Sequence, residues 1–302
     1  MSSLTSNHLL TKNEICSYTR NGFVVPKFRL DNSDLEKLQN ATLELMQTYP
    51  HIPTEGLVSP HIFYAGSNRP DIHSKFLEIC KLTPLLDIVD QLIGRDIIVW
   101  GSRIFSKAPQ TGRATPWHQD GEYWPIRPLA TATVWIAIDE SNEDNGCLKI
   151  LTGSNRAKTL LTHQSLSGKG AALDKEIKPE LIESKNVVSV PLQPGQMVIF
   201  DVFTAHGASP NLSNQRRAGF AIRYMPGTSI FDRNMKVGSG QDDVQTDLGQ
   251  RALFLVRGED KTGKNDFTIG HDGMTVEVIS VSYTHLRAHE TGRNLVCRLL
   301  LE

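Results

Sequence analysis

The chain has 302 residues, 32 Lys plus Arg against 33 Asp plus Glu, and a formal net charge of −1 at pH 7. That length buries a substantial core, and a near-neutral balance with no long Lys/Arg run argues against nucleic acid as a partner. No apolar run reaches bilayer length, and Met1-Ser2-Ser3-Leu4 is not a charged region followed by an apolar one; the expectation is a cytoplasmic protein with no membrane partner.

Residues 12–20 read as a short helix stopped by Asn21-Gly22, and Phe23-Val24-Val25 as a β-prone run. Asn32-Ser33-Asp34 is an N-cap cluster opening a longer helix. Its Leu35, Leu38, Leu43 and Leu45 share an approximately helical face, and Tyr49-Pro50 ends it. Residues 51–70 are loop-like, with His61 and Phe63 expected on solvated loop. Residues 73–93 carry one or two further amphipathic helices, broken near Thr83-Pro84 and stopped at Gly94.

After Gly94 the pattern changes to strands: 96–100, 103–105, 132–138, 147–151, 187–190, 197–200 and 219–224. Turn signals stand at 109–112, at 143–146 and at Pro194-Gly195. Residues 163–185 read as a polar surface insertion. Helices come first and short strands follow, which excludes the alternation of a doubly wound sheet. The fold class is mainly β with an N-terminal helical layer, a sandwich or barrel. Cys16, Cys80, Cys147 and Cys297 lie far apart, with neither zinc-ribbon nor disulfide-framework spacing, and are expected to be idle thiols.

The chemistry gathers in Thr115-Pro116-Trp117-His118-Gln119-Asp120. On a strand, His118 and Asp120 point to one face. His206, after the 197–200 strand, supplies a second imidazole and completes a 2-His-1-carboxylate set, which leaves open positions on non-haem iron. At the start of the last strand stands Arg217. A buried arginine is expensive without an anion, and its planar fork suits a carboxylate. Strand alternation lets only one of Arg216 and Arg217 point inward, and Arg217 is preferred on its offset from His206.

This ordered set resembles the phytanoyl-CoA dioxygenase family of iron(II)/2-oxoglutarate oxygenases. Trp117-His118-Gln119-Asp120-Gly121, the run from Tyr123 to Pro128, Trp135, Asn145-Gly146-Cys147-Leu148, Pro194-Gly195 and His206-Gly207 all stand in the family's order, and the likeness spans roughly residues 22–258. It implies a double-stranded β-helix (a cupin-like jelly roll) covered by helices. A single oxygenase domain is expected over 1–280: a helical layer 1–94, a core 95–228 and an extension 229–280. The resemblance makes His118, Asp120 and His206 the catalytic iron ligands and pairs Arg217 with the distal carboxylate of 2-oxoglutarate. It also places Gln119, Trp135 and Ser209 at that co-substrate. Fe(II), 2-oxoglutarate and dioxygen are the implied cofactors, and the family's reaction oxidises a small-molecule substrate while 2-oxoglutarate becomes succinate and carbon dioxide.

Hydroxylation of an unactivated C–H bond is the expected outcome. Asp120 argues against halogenation, since halogenating relatives carry a small residue there. Desaturation, cyclisation and a non-catalytic metal- or ligand-binding jelly roll are the alternatives. Tyr123, Trp124 and Arg127 are candidates for the substrate entrance, and Lys107 is expected at the surface. One departure stands out: the family commonly has Pro-Gly-Ser-His where this chain has Thr152-Gly153-Ser154-Asn155.

His285 and His289 sit at i and i+4, but Leu286 follows His285, so this is not a His-Glu-x-x-His motif. Residues 281–302 resemble the conceptual translation of a transposase-type sequencing adapter and are expected to be a non-native tail. Resequencing the source gene tests this.

Overall fold

The computed structural model describes residues 8–50, 57–62, 69–166, 173, 175–235 and 248–271. Phe63 and the expected tail lie outside them. Helix α1 (Lys12–Asn21) starts at a Thr11/Glu14 capping box and closes on Gly22 at φ 88°, a left-handed turn that glycine adopts without a Cβ penalty. After β1 (Phe23–Val24) comes α2 (Asn32–Thr48), whose N-cap is Asp31 rather than the Asn32-Ser33-Asp34 cluster: Asp31 accepts from the Asp34 amide. Strand β2 (Leu57–Val58) precedes α3 (Pro70–Cys80) and α4 (Thr83–Ile93). Both helices have a proline in their first turn, where its missing N–H costs nothing. The amphipathic stretch is thus two helices, the first starting earlier than its apolar pattern.

The strands are β3 (Ile97–Lys107), β4 (Thr115–His118), β5 (Ile126–Arg127), β6 (Ala132–Ala137), β7 (Leu148–Leu151), β8 (His163–Ser165) and β9 (Lys175–Ile177). Then follow β10 (Val187–Val190), β11 (Met197–Asp201), β12 (His206–Ala208), β13 (Arg217–Pro226), β14 (Ile230–Phe231) and β15 (Phe254–Arg257). The larger sheet runs β1-β11-β6-β13-β3-β15 with β2 also on β3, and the smaller runs β10-β7-β12-β4. The two expected strands at 96–100 and 103–105 are one strand, because Gly101-Ser102 does not turn. Opposite Arg223 and Tyr224, β3 instead carries one extra residue, Trp100, as a bulge.

Alternation divides the large sheet into two faces. Val134, Ile136, Ile199, Phe220 and Tyr224 face outward onto Phe76, Leu85 and Ile88 of the helices. Phe76 and Phe220 stack at 5.3 Å, and Tyr224 Oη donates to the Cys80 carbonyl at 2.9 Å. Trp135, Val198, Phe200 and Ala221 face inward and pack with Ile150 and Val190 of the small sheet. The architecture is the jelly roll covered by helices that the resemblance implies. Among the described residues, no helix is long and apolar enough to cross a membrane.

Candidate active site

His118 ends β4 and His206 begins β12, and the two are direct antiparallel partners. Cross-strand pairing puts both imidazoles on one face, with ring centroids 4.2 Å apart. Gln119 continues in extended conformation, so Asp120, which opens a 3-10 turn rather than continuing the strand, returns to the same face. The ligand atoms of His118, Asp120 and His206 all lie within 4.8 Å of one another, and all three residues are buried. His118 Nε2 is 3.7 Å from Asp120 Oδ1.

The donor set is prepared for a cation. His118 Nδ1 donates to the Pro116 carbonyl and His206 Nδ1 to the Thr204 carbonyl, each at 2.9 Å. A carbonyl only accepts, so each Nδ1 carries the proton and each Nε2 keeps its lone pair for metal. Asp120 Oδ2 accepts from Thr133 Oγ1 at 3.1 Å, which leaves Oδ1 on the histidine side. Burial pushes the His118 imidazole well below the usual histidine range, and His206 beside it adds to the effect; the neutral, ligating form is favoured. Metal–nitrogen bonds of about 2.1 Å set facial ligands about 3 Å apart, so a modest contraction closes the set around iron.

The backbone behind His206 is anchored to α1. Thr204 Oγ1 donates to the Gly22 carbonyl at 2.8 Å, and a Cβ on Gly22 would fall 2.4 Å from that hydroxyl. Asn155, at the departure from the family motif, is fully buried and donates to the Thr19 carbonyl at 3.1 Å. Ser154 Oγ accepts from the Ala205 amide, next to His206. The changed tetrapeptide thus fastens helix to barrel.

Gln119 is placed differently from the sequence expectation. Its amide donates to the Phe203 and Thr159 carbonyls at 2.6 and 3.2 Å and accepts from the Leu161 amide at 2.6 Å. The alternation that turns His118 and Asp120 inward turns Gln119 outward, and its amide brackets two loops. Gln119→Leu is expected to cost about 2–4 kcal/mol of stability, because it strands buried backbone groups. Affinity for 2-oxoglutarate should stay unchanged in a titration; a tenfold weakening at unchanged melting temperature would restore the ligand role.

Arg217 opens β13 and is buried, with Nη2 donating to the Gly146 carbonyl at 2.9 Å and the guanidinium 5.4 Å from the Trp135 ring. Its neighbour Arg216 makes a two-pronged pair with Asp139 at 2.8 and 2.9 Å, so of the two it is Arg217 that turns inward. Trp135 lies on the inner face and walls that arginine. Ser209 meets this region through its carbonyl, which accepts from Lys107 Nζ at 2.6 Å. Lys107 is buried rather than at the surface, because Nζ also donates to the Arg113 carbonyl at 2.6 Å and so is enclosed by main-chain oxygens. His61 is likewise buried instead of solvated, with Nδ1 2.6 Å from Ser102 Oγ. Trp124 is buried against Trp100, their centroids 4.7 Å apart. Tyr123 edges onto His118 at 6.3 Å. Arg127 is exposed, and Nη1 donates to the Trp124 and Ile126 carbonyls. Sequence reasoning missed Thr133, although it stands two residues before Trp135 on the same inward face.

A jelly roll holding two imidazoles and a carboxylate on one inner face, with a buried arginine on the adjoining wall, defines a non-haem iron oxygenase. A family model for Phytanoyl-CoA dioxygenase (PhyH) matches residues 18–219. The chain belongs to this family of iron(II)/2-oxoglutarate-dependent oxygenases, and the triad fits iron. Dioxygenase lolE1 of Epichloe uncinata is 26% identical over 67% of this chain and 74% of its own length. The peroxisomal phytanoyl-CoA dioxygenase of Bos taurus is 23% identical over 87% and 80%. Among solved structures, the apo form of the non-heme monooxygenase ThoJ matches at TM-score 0.63 and 23% identity, over 82% of this chain and 84% of ThoJ. EctD from S. alaskensis with 2-oxoglutarate and 5-hydroxyectoine matches at 0.57 and 18%, over 75% and 78%. The epimerase SnoN with Fe3+, alpha ketoglutarate and nogalamycin RO matches at 0.55 and 16%, over 73% and 85%.

Proposed function

We propose that this chain hydroxylates an unactivated C–H bond of a small or medium organic molecule, with 2-oxoglutarate decarboxylated to succinate. The observation that carries the reading is the complete donor set His118, Asp120 and His206, with its carboxylate oriented by Thr133. Iron(II) and 2-oxoglutarate, when bound, would supply the activation of dioxygen, with 2-oxoglutarate giving two of the four electrons that dioxygen takes up and the substrate the other two. The protein's residues supply placement. His118, Asp120 and His206 would hold the iron and leave positions on it for 2-oxoglutarate and dioxygen. Arg217, steadied by Trp135, offers its fork to the distal carboxylate of 2-oxoglutarate. Trp124, Ile126, Val202 and Phe203 form an apolar cluster suited to keeping water from the reacting centre. The cytoplasmic location belongs to the same proposal; recovery in a peroxisomal fraction would overturn it.

Both hydroxylation and epimerisation occur among proteins of this fold, so the product decides. Anaerobic protein with Fe(II) and 2-oxoglutarate should develop a weak visible charge-transfer band. Under ¹⁸O₂, a hydroxylated product carrying the label, equimolar with succinate, supports the proposal. A product without added oxygen overturns hydroxylation, and absence of both band and succinate supports a binding module. Arg217→Met should raise the 2-oxoglutarate needed for half-development of the band by roughly 100-fold, the worth of a charge-assisted pair, with Fe(II) affinity retained.

A further inference from the structure

Beyond the triad, the same inner wall carries a second arginine. Arg217 and Arg223 are six residues apart on β13 and share a face, separated by roughly 20 Å of strand. Arg223 is the direct partner of Thr133, the residue that holds Asp120. Asp120 therefore stands beside the strand level of Arg223, while Arg217 lies further along β13, against Trp135.

Arg223 lies against two aromatic faces. Its guanidinium carbon is 5.0 Å from the Trp124 ring and 5.5 Å from the Trp100 ring. Among the described residues it makes no hydrogen bond and no ion pair, and its Nε is buried without an acceptor. The indole N–H of Trp100, 2% exposed, is a second buried donor with no acceptor among the described residues. Such orphans are costly unless something answers them. Like charge crowds the place as well. A Cβ on Gly101 would lie 3.9 Å from Nη1 of both Arg223 and Arg251, so two cations share the inner surface of that glycine. Burial lowers Arg223 to a pKa of about 10, with Arg103 and Arg251 acting in the same direction and Asp120 opposing them. Asp120 does not answer this charge once iron binds. Iron(II), one carboxylate, the 2-oxoglutarate dianion and Arg217 sum to neutrality, which leaves Arg223 in surplus.

We propose that Arg223 is the anchor for a carboxylate on the substrate, its fork preorganised by Trp100 and Trp124 and placed opposite Thr133, the residue that holds Asp120. The substrate class is thus a small-molecule carboxylic acid oxidised at a carbon near its anionic end. This rests on the oxygenase reading above and narrows its substrate.

The test uses the full chain loaded anaerobically with Fe(II) and 2-oxoglutarate, so that the Arg217 site is filled. Short and long, aliphatic and aromatic monocarboxylates, their primary amides and inorganic phosphate are titrated by calorimetry and by their shift of the visible band. Carboxylates should bind and amides of the same shape should not. Arg223→Gln should weaken the carboxylates roughly 10- to 100-fold and leave the 2-oxoglutarate band as it was, and Arg223→Lys should recover part of the loss. Equal binding of acids and amides, unchanged binding in Arg223→Gln, no carboxylate binding to the wild type, or a preference for phosphate would each overturn the assignment. If the wild type forms no band, the oxygenase reading fails by itself. Calorimetry on the metal-free chain with 2-oxoglutarate then still judges the Arg223 site by the same variants.

Discussion

His206→Ala is expected to abolish the visible band of the anaerobic iron(II)/2-oxoglutarate complex and to lower succinate formation by roughly 10³-fold or more, equivalent to about 4 kcal/mol. The reason is geometric. His206 and His118 reach the metal from directly paired strands, and no other His, Asp or Glu among the described residues joins their cluster. The fold should survive: the lost ring packs mainly against His118 and Phe200, at 4.2 and 4.6 Å, and a melt should fall by no more than about 2 kcal/mol of stability. Thr133→Val separates ligation from orientation. Asp120 keeps its place but loses the hydroxyl that fixes Oδ2, so metal affinity or turnover should drop roughly 10- to 100-fold, the usual worth of a residue that orients a ligand. Iron titrations of the two variants check the pair. Equal losses would mean that Thr133 does more than orient, and retention of the band in His206→Ala would refute the triad.

The triad was legible because its logic is local. Residues i and i+2 on an extended segment share a face whatever surrounds them, and Gln119 kept that segment extended even though Asp120 itself begins a turn. The same rule applied to Gln119 turns it to the other face, where its amide meets Phe203, Thr159 and Leu161, a placement that the family resemblance did not suggest. The helices were legible from their stops at Gly22 and Gly94 and from the apolar face of Leu35, Leu38 and Leu45, whereas the actual N-caps, Thr11 and Asp31, were passed over. What could not be read depended on register. Nothing in Trp100-Gly101-Ser102 announces a bulge, yet the bulge sets Trp100 beside Arg223. Lys107 and His61 looked like solvated residues because their types usually are. Their burial follows from main-chain carbonyls and a serine hydroxyl that only the folded strands bring near.

Gly219→Ala carries the second large effect, and it acts through Trp135, the ring that walls Arg217. A Cβ at Gly219 would sit 2.0 Å from Cζ2 of Trp135 and 2.3 Å from Cε2. The indole cannot stay where it is, and it is enclosed by Val198, Phe200, Ala221 and Ile150. Overpacking of this kind costs about 1–3 kcal/mol, and the same displacement strips Arg217 of the ring it stacks on. The expected result is a lower melting temperature together with weaker 2-oxoglutarate binding, at unchanged affinity for iron. Trp135→Leu should also loosen 2-oxoglutarate, but by removing the wall, and should leave room for the new methyl. In the double variant Gly219→Ala/Trp135→Leu, the loss of stability should therefore be smaller than the sum of the two single losses by at least about 1 kcal/mol, a coupling typical of residues in direct contact. Additive losses in that cycle would show that Gly219 is not kept small by the indole. Iron affinity falling with Gly219→Ala would show that the strain reaches the triad.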